Sequence, residues 1–277
     1  MKKIVLTGAC GALGSRLRPL LAGMAEALVS TDIEPAPEEL LANESFVQAD
    51  LADAAAIDAI VEGAEMVVHF GAIPDEAPFD EILGPNILGS YHVWSAAAKH
   101  GVRRVVYASS IHAVGMHLKT DFIGVDAPHR PDGFYGLAKC FSEDLARLYW
   151  DKKGIEAVCL RILSCSAPTN ARSIGSWLSY DDLLQLVRKS VDTPIVGFTV
   201  VYGVSDNDRC PVDNAGAAVL GYRPKDNAED FAAEVFANSV PIRADDIAHT
   251  RHAGPFAATD LGESGVAWIK AQAARKG

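Results

Sequence analysis

The chain has 277 residues, 49% hydrophobic and 22% charged, the balance of an ordinary globular enzyme of one or two domains, which sets aside disorder, collagen and coiled coil. Lys plus Arg number 25 against 36 Asp plus Glu, a net charge of −11; such a chain has no footprint for nucleic acid or an anionic membrane surface, and an anionic substrate needs a local cationic clamp. Five cysteines (Cys10, Cys140, Cys159, Cys165, Cys210) are odd in number and form no C-x-x-C pair, which fits a reducing compartment, and with no apolar leader or bilayer-length stretch a cytoplasmic location is expected.

Taken in chain order, short β-branched runs alternate with amphipathic stretches. Strands are predicted at Lys3–Thr7, Ala27–Thr31, Ser45–Gln48, Met66–Phe70, Arg104–Ala108 and Glu156–Ile162, with a late one at Ile195–Val201. Helices are predicted between them at Gly14–Ala22, Ala54–Val61, Ile87–Lys99 and Leu137–Lys152. Right-handed crossovers turn this alternation into an α/β doubly wound parallel sheet, a Rossmann core over residues 1–163. Beyond it the rhythm breaks in Ser164–Ser190, with Pro168, Asn170 and Gly175, and again in the polar stretch Asp206–Asn238. Residues 164–277 are expected to form a small C-terminal substrate-binding lobe over the carboxyl ends of the strands, with the strand at about 195–201 returning to the core sheet. Gly265–Arg275 reads as an apolar-striped terminal helix, packed on the core or against another subunit, and a homo-oligomer is expected. His249 and His252 lack a third ligand at metal-binding spacing, so no metal is expected.

The first strand runs into Gly8-Ala9-Cys10-Gly11-Ala12-Leu13-Gly14, a G-x-x-G-x-x-G run that opens a helix. Glycines let the backbone turn sharply and approach a pyrophosphate, and the helix N-terminus offers free N–H groups to it. Asp32 ends the second strand, where a carboxylate can accept from both ribose hydroxyls of an adenosine and repel a 2′-phosphate, so NAD is favoured over NADP. Asp50 and Leu51 follow the third strand; Asp50 either meets the adenine amino group or caps the next helix. Gly71 and Ala72 follow the fourth strand, under the dinucleotide or in an ordinary turn.

Tyr135-Gly136-Leu137-Ala138-Lys139 is a Y-x-x-x-K pentad, which places phenol and ammonium on one helical face. A tyrosine serving as base near neutrality needs its ordinary pKa of about 10 lowered, and a nearby ammonium favours the phenolate. Ser110, at the end of the fifth strand, can hydrogen-bond a reacting oxygen, and Asn86 can complete a relay to Lys139 through water and backbone.

Together these residues resemble the extended short-chain dehydrogenase/reductase superfamily over roughly the first 165 residues. The resemblance implies a Rossmann core that binds NAD, Tyr135 as acid/base, Lys139 tuning it and holding the nicotinamide ribose, Ser110 orienting the substrate oxygen, and Ile162 among the cofactor-binding residues. More narrowly, Ala108–Gly115, Arg130–Phe141, Leu160–Cys165, Ser176–Asp182 and Arg223–Glu229 resemble the bacterial uronate dehydrogenases. That resemblance implies NAD-dependent oxidation of a hexuronate such as glucuronate or galacturonate at C1 to the aldarolactone, a small-molecule sugar acid being the partner. Arg172 then matches a carboxylate-binding arginine, Ser164 a hydroxyl beside the same carboxylate, and His112 a substrate-side histidine. Two positions depart from the pattern: Ile111 stands where the family has Asn, and Pro74 where it has a substrate-touching Ser. An NAD-retaining epimerase or dehydratase acting on a (nucleotide-)sugar and a non-catalytic NAD-binding protein are the alternative readings, since the superfamily hosts several activities.

Overall fold

A computed structural model describes residues 1–239 and 243–274 of the chain. Seven parallel strands form one sheet: β1 (Lys3–Thr7), β2 (Ala27–Asp32), β3 (Glu44–Gln48), β4 (Met66–His69), β5 (Arg104–Tyr107), β6 (Glu156–Ile162) and β7 (Phe198–Gly203). Their order is β3-β2-β1-β4-β5-β6-β7, so the chain reverses direction between β1 and β4 and leaves a crevice at the carboxyl ends of those two strands. The helices are α1 (Gly14–Ala22), α2 (Ala54–Val61), α3 (Phe79–Ile82), α4 (Gly89–His100), α5 (Phe134–Lys153), α6 (Ala171–Ser176), α7 (Tyr180–Asp192), α8 (Ala232–Asn238), α9 (Ile247–Thr250) and α10 (Gly265–Ala274).

Both faces of the sheet are covered, which is why its strands read as unbroken apolar runs. Ile4, Leu6, Met66, Val68, Val158 and Leu160 pack with Leu17 and Leu21 of α1 and with Leu183, Leu186 and Val187 of α7. Their alternating neighbours Val5, Val67, Val105 and Ala157 face Ile57 and Ile60 of α2, Val93, Trp94 and Ala97 of α4, and Leu145 of α5. The fully buried Arg104 pairs with Glu156 and donates to the Ser190 and Val191 carbonyls at the end of α7, tying the helix to β5 and β6.

The differences from the sequence reading have local causes. The last strand starts at Phe198 rather than Ile195 because Glu156 Oε1 accepts from the Val196 and Gly197 amides at 2.7 and 3.2 Å, and Gly197 has φ +55°; these residues turn into the strand. The helix expected to open at Ile87 is preceded by α3 and by a wide π-type turn, Leu83–Leu88, with Pro85 inside it. Helix α5 starts at Phe134, three positions before the expected Leu137. Past residue 163, α7 and β7 complete the sheet core, while Ile174, Ala228, Ala232 and Val235 gather α6 and α8 into a small separate cluster. Of the expected terminal helix, Gly265–Ala274 is present and Arg275 lies outside the described residues. No helix among the described residues is long and apolar enough to cross a membrane.

Candidate active site

The glycine run forms one wall of a groove of about 640 Å³ at the carboxyl edge of the sheet. Gly8 has φ +73°, and a Cβ on it would lie 2.6 Å from the Gly71 amide nitrogen. At Gly14 a Cβ would meet the Gly8 carbonyl oxygen at 1.9 Å, so helix and strand touch only because both residues lack side chains. Gly11 is different: the nearest protein atom to a Cβ there is the Gly8 carbonyl oxygen at 3.4 Å, and the position looks into the groove. Cys10, Ala12 and Leu13 line the same wall, and Leu13, the residue before α1, makes no side-chain cap bond, which leaves the helix's N-terminal dipole end to a ligand anion.

Asp32 adjoins this wall at the end of β2, its Oδ2 accepting from the Cys10 amide at 2.8 Å. Asp50 and Leu51 line the third side. Asp50 accepts from the Ala52 amide at 2.8 Å, and the cap of α2 is Asp53, so the capping alternative for Asp50 falls away. Gly71 and Ala72 form the floor. A groove walled by small residues, with an uncapped helix start and a strand-end carboxylate on it, fits a dinucleotide.

A second cavity of about 360 Å³ adjoins the groove and shares Phe70, Ala72 and Pro74 with it. Ser110, His112, Tyr135, Lys139, Ile162, Ser164 and Arg172 all face it. Strand geometry places three of these: Ser110, just beyond β5, forms a parallel bridge with Ile162 at the end of β6, and Ser164 bridges Trp177. Beneath them Glu143 accepts from Ser109 at 2.5 Å, from Arg161 at 2.8 Å and from His129 at 3.0 Å. Those partners outweigh burial and hold the carboxyl down at about 2, so the floor is a rigid ion network.

Lys139 Nζ donates to the Ala108 carbonyl at 2.7 Å and lies 5.3 Å from the Tyr135 ring centre. The electrostatics correct one expectation. Burial pushes the Tyr135 phenol up to about 12, a hydrogen bond with Ser110 pulls it down, and the charges of Asp132 and Asp75 raise it further. Lys139 does not bring it down in the free protein because burial takes the lysine itself to about 7. A desolvated ammonium and a desolvated phenol each resist charging alone, so ionising the phenol is coupled to keeping the proton on Lys139.

Asn86 is the one expected site residue outside both cavities. Its carboxamide brackets the Ile73 backbone, accepting from N at 2.8 Å and donating to O at 3.0 Å, and its own carbonyl accepts from Ser90. It shapes the loop under the dinucleotide groove and makes no direct contact with Lys139. His112 donates from Nδ1 to Asp132 at 2.5 Å and packs against Tyr135 and Phe256, which leaves Nε2 for the cavity. Ile111 is turned away into a buried cluster with Val114, Ile123 and Tyr202, whereas Pro74 sits where the two cavities join.

At the far end Arg172 Nη1 donates to Ser164 Oγ at 3.0 Å and Nη2 to the His252 carbonyl at 2.8 Å, while its buried Nε has no partner among the described residues. Among the described residues no carboxylate lies within ion-pair distance of it. Burial lowers it to about 10, as expected of a cation awaiting an anion. Lys119, in an adjoining cavity that Arg172 also lines, is taken down to about 8 by burial and by the Arg172 charge.

Sequence reading did not single out Lys119, Asp132, Phe256, Val266 or Ile269. The last three come from the C-terminal segment, which returns to the cavity because Ala253 and His252 hydrogen-bond Gly115 and His117. These bonds join residues more than a hundred positions apart in the chain.

A profile described as the NAD dependent epimerase/dehydratase family matches residues 4–179, and the chain belongs to that family. Within it the likeness is narrower. A uronate dehydrogenase of Pseudomonas putida is 48% identical over 92% of this chain and 95% of its own. A crystal structure of a mutant uronate dehydrogenase from Agrobacterium tumefaciens, complexed with NAD, superposes with a TM-score of 0.89 at 42% identity, covering 94% of this chain and 98% of that one. The glucuronic acid dehydrogenase of Chromohalobacter salexigens gives 0.90 at 38% identity, covering 94% and 97%.

Proposed function

We propose that the protein is a dehydrogenase that oxidises a hexuronate, glucuronate or galacturonate, at C1 to the aldarolactone with NAD as the acceptor. The observation that carries this reading is the free guanidinium of Arg172, without a carboxylate partner among the described residues, in the cavity that also holds Tyr135 and Ser110. A substrate with a carboxylate at one end and an oxidisable hydroxyl at the other spans those two ends. Two relatives that match over nine-tenths of the chain are named uronate dehydrogenase, which supports the reading.

NAD, when bound, supplies the hydride acceptor; Gly8, Cys10, Gly11, Ala12, Leu13 and Gly14 would hold its pyrophosphate, Asp32 its adenosine ribose, Asp50 and Leu51 its adenine, with Gly71, Ala72 and Ile162 beneath. Tyr135 Oη takes the proton of the C1 hydroxyl, general base catalysis that the burial of the site confines to one geometry. Lys139 stabilises the phenolate by retaining its own proton, and Ser110 Oγ donates to the C1 oxygen. The fork of Arg172, backed by Ser164, binds the carboxylate, which a molecule of charge −11 would otherwise repel. His112, its Nδ1 fixed by Asp132, offers Nε2 to a ring hydroxyl.

The test is direct. Purified protein with NAD and glucuronate or galacturonate should generate reduced nicotinamide in step with lactone. No reduction with any sugar acid, together with interconversion of a nucleotide-sugar, would replace this reading with that of an NAD-retaining epimerase.

A further inference from the structure

Glu76, in the loop after β4, is 5% exposed and has no cationic partner among the described residues. Its Oε2 accepts from the Tyr135 amide at 2.8 Å, and its Oε1 accepts from the Phe134 amide at 2.9 Å and the Gly262 amide at 3.0 Å. The first two donors are the opening turn of α5, whose cap residue, Gly133, contributes no side chain. A Cβ on Gly133 would stand 2.4 Å from Glu76 Oε2, so the backbone there is bare where the carboxylate enters. The third donor belongs to the C-terminal segment, at a residue with φ +80°. Next door, Asp75 accepts from the Ser264 hydroxyl and, at 3.3 Å, from the Val266 amide, while Ser264 Oγ accepts from the Ala267 amide and so caps α10. From α10, Val266 and Ile269 face the substrate cavity.

We propose that Glu76 is a positioning residue for the reaction: one buried carboxylate holds both the helix turn on which Tyr135 stands and the C-terminal strap that walls the substrate cavity. Asp75 is its companion on the strap side. A carboxylate that accepts from two helix N-terminal amides fixes where the first turn of the helix lies, and the third bond makes that same position depend on the strap being seated. Val266 and Ile269 then determine which face of a sugar acid fits, as an apolar wall opposite the polar end formed by Ser164 and Arg172. This rests on the dehydrogenase reading above, and wild-type turnover of uronate is the control that separates the two: without it that reading fails, and with it the variants test the latch.

In Glu76→Gln the amide group opposes at least one backbone N–H donor. The expected result is a kcat at least tenfold lower, Kd for NAD within twofold of wild type, and new protease cleavage between residues 259 and 270 in the free protein. Glu76→Asp, which keeps the charge, should recover part of kcat. A Glu76→Gln enzyme with kcat within twofold of wild type and unchanged cleavage overturns the proposal. Should that variant not fold, Asp75→Asn loosens the strap alone: KM for uronate should rise at least fivefold with kcat less affected, and a KM within twofold of wild type with unchanged cleavage overturns it equally.

Discussion

Replacing Arg172 by Met removes the guanidinium while keeping much of its length. The site loses a half-buried cation that has two neutral partners, Ser164 Oγ at 3.0 Å and the His252 carbonyl at 2.8 Å, and a buried Nε with none among the described residues. A charge-assisted hydrogen bond contributes about 1.5–3 kcal/mol, and a carboxylate seated on the fork makes one or two of them, so the loss is about 1.5–6 kcal/mol. At about 1.4 kcal/mol per decade that is roughly a 10- to 20,000-fold drop in kcat/KM for a uronate. It should fall mainly on KM, because the carboxylate is bound alike in the ground and transition states. Steady-state kinetics with galacturonate and with galactose, which lacks the carboxylate, separate the effect from general damage: galactose should change by no more than about threefold. Equal losses for both sugars, or a uronate kcat/KM within threefold of wild type, would refute the carboxylate assignment.

Asp32→Ala removes the acceptor of the Cys10 amide and the proposed ribose ligand; the site is half exposed, so NAD affinity should weaken about tenfold while discrimination against NADP shrinks, and calorimetric titration with both dinucleotides checks it. Lys139→Met tests the electrostatics through stability. Burial moves the lysine from 10.5 to about 7, so between those values the unfolded chain binds a proton that the folded chain lacks, and the lysine destabilises the fold increasingly as pH falls from about 10 to about 7 and no further below. Urea unfolding of the free protein should therefore show wild type losing about 2 kcal/mol relative to Lys139→Met between pH 9 and pH 7; a constant difference would mean that the ammonium is not desolvated.

What could be read from the sequence was what short range decides. A strand that ends in G-x-x-G-x-x-G must turn and start a helix, Asp32 closes β2 and Ser110 follows three residues after β5, so the glycine wall, Asp32, Ser110 and the Tyr135–Lys139 pair were legible, while His112, Ser164 and Arg172 came from the family resemblance. The start of α5 was not, because the carboxylate that accepts from its first amides is Glu76, far back in the chain and on another element. The π-type turn that carries Asn86 left no periodic signal, and its carboxamide went to a neighbouring loop. The pKa of Tyr135 went the opposite way because the pentad reports spacing while desolvation depends on everything packed above it. Lys119 and the wall formed by Val266 and Ile269 depend on the chain returning over its own site, and composition carries no trace of that.

The central claim is that Tyr135 takes the proton as the sugar acid is oxidised, and Tyr135→Phe in single-turnover reactions of NAD-loaded protein with glucuronate or galacturonate addresses it most directly. The rate of appearance of reduced nicotinamide should fall by about 10²–10⁴-fold, the usual contribution of a positioned general base, with NAD affinity within twofold of wild type. A phenylalanine enzyme that reduces NAD within about tenfold of the wild-type rate would contradict the assignment.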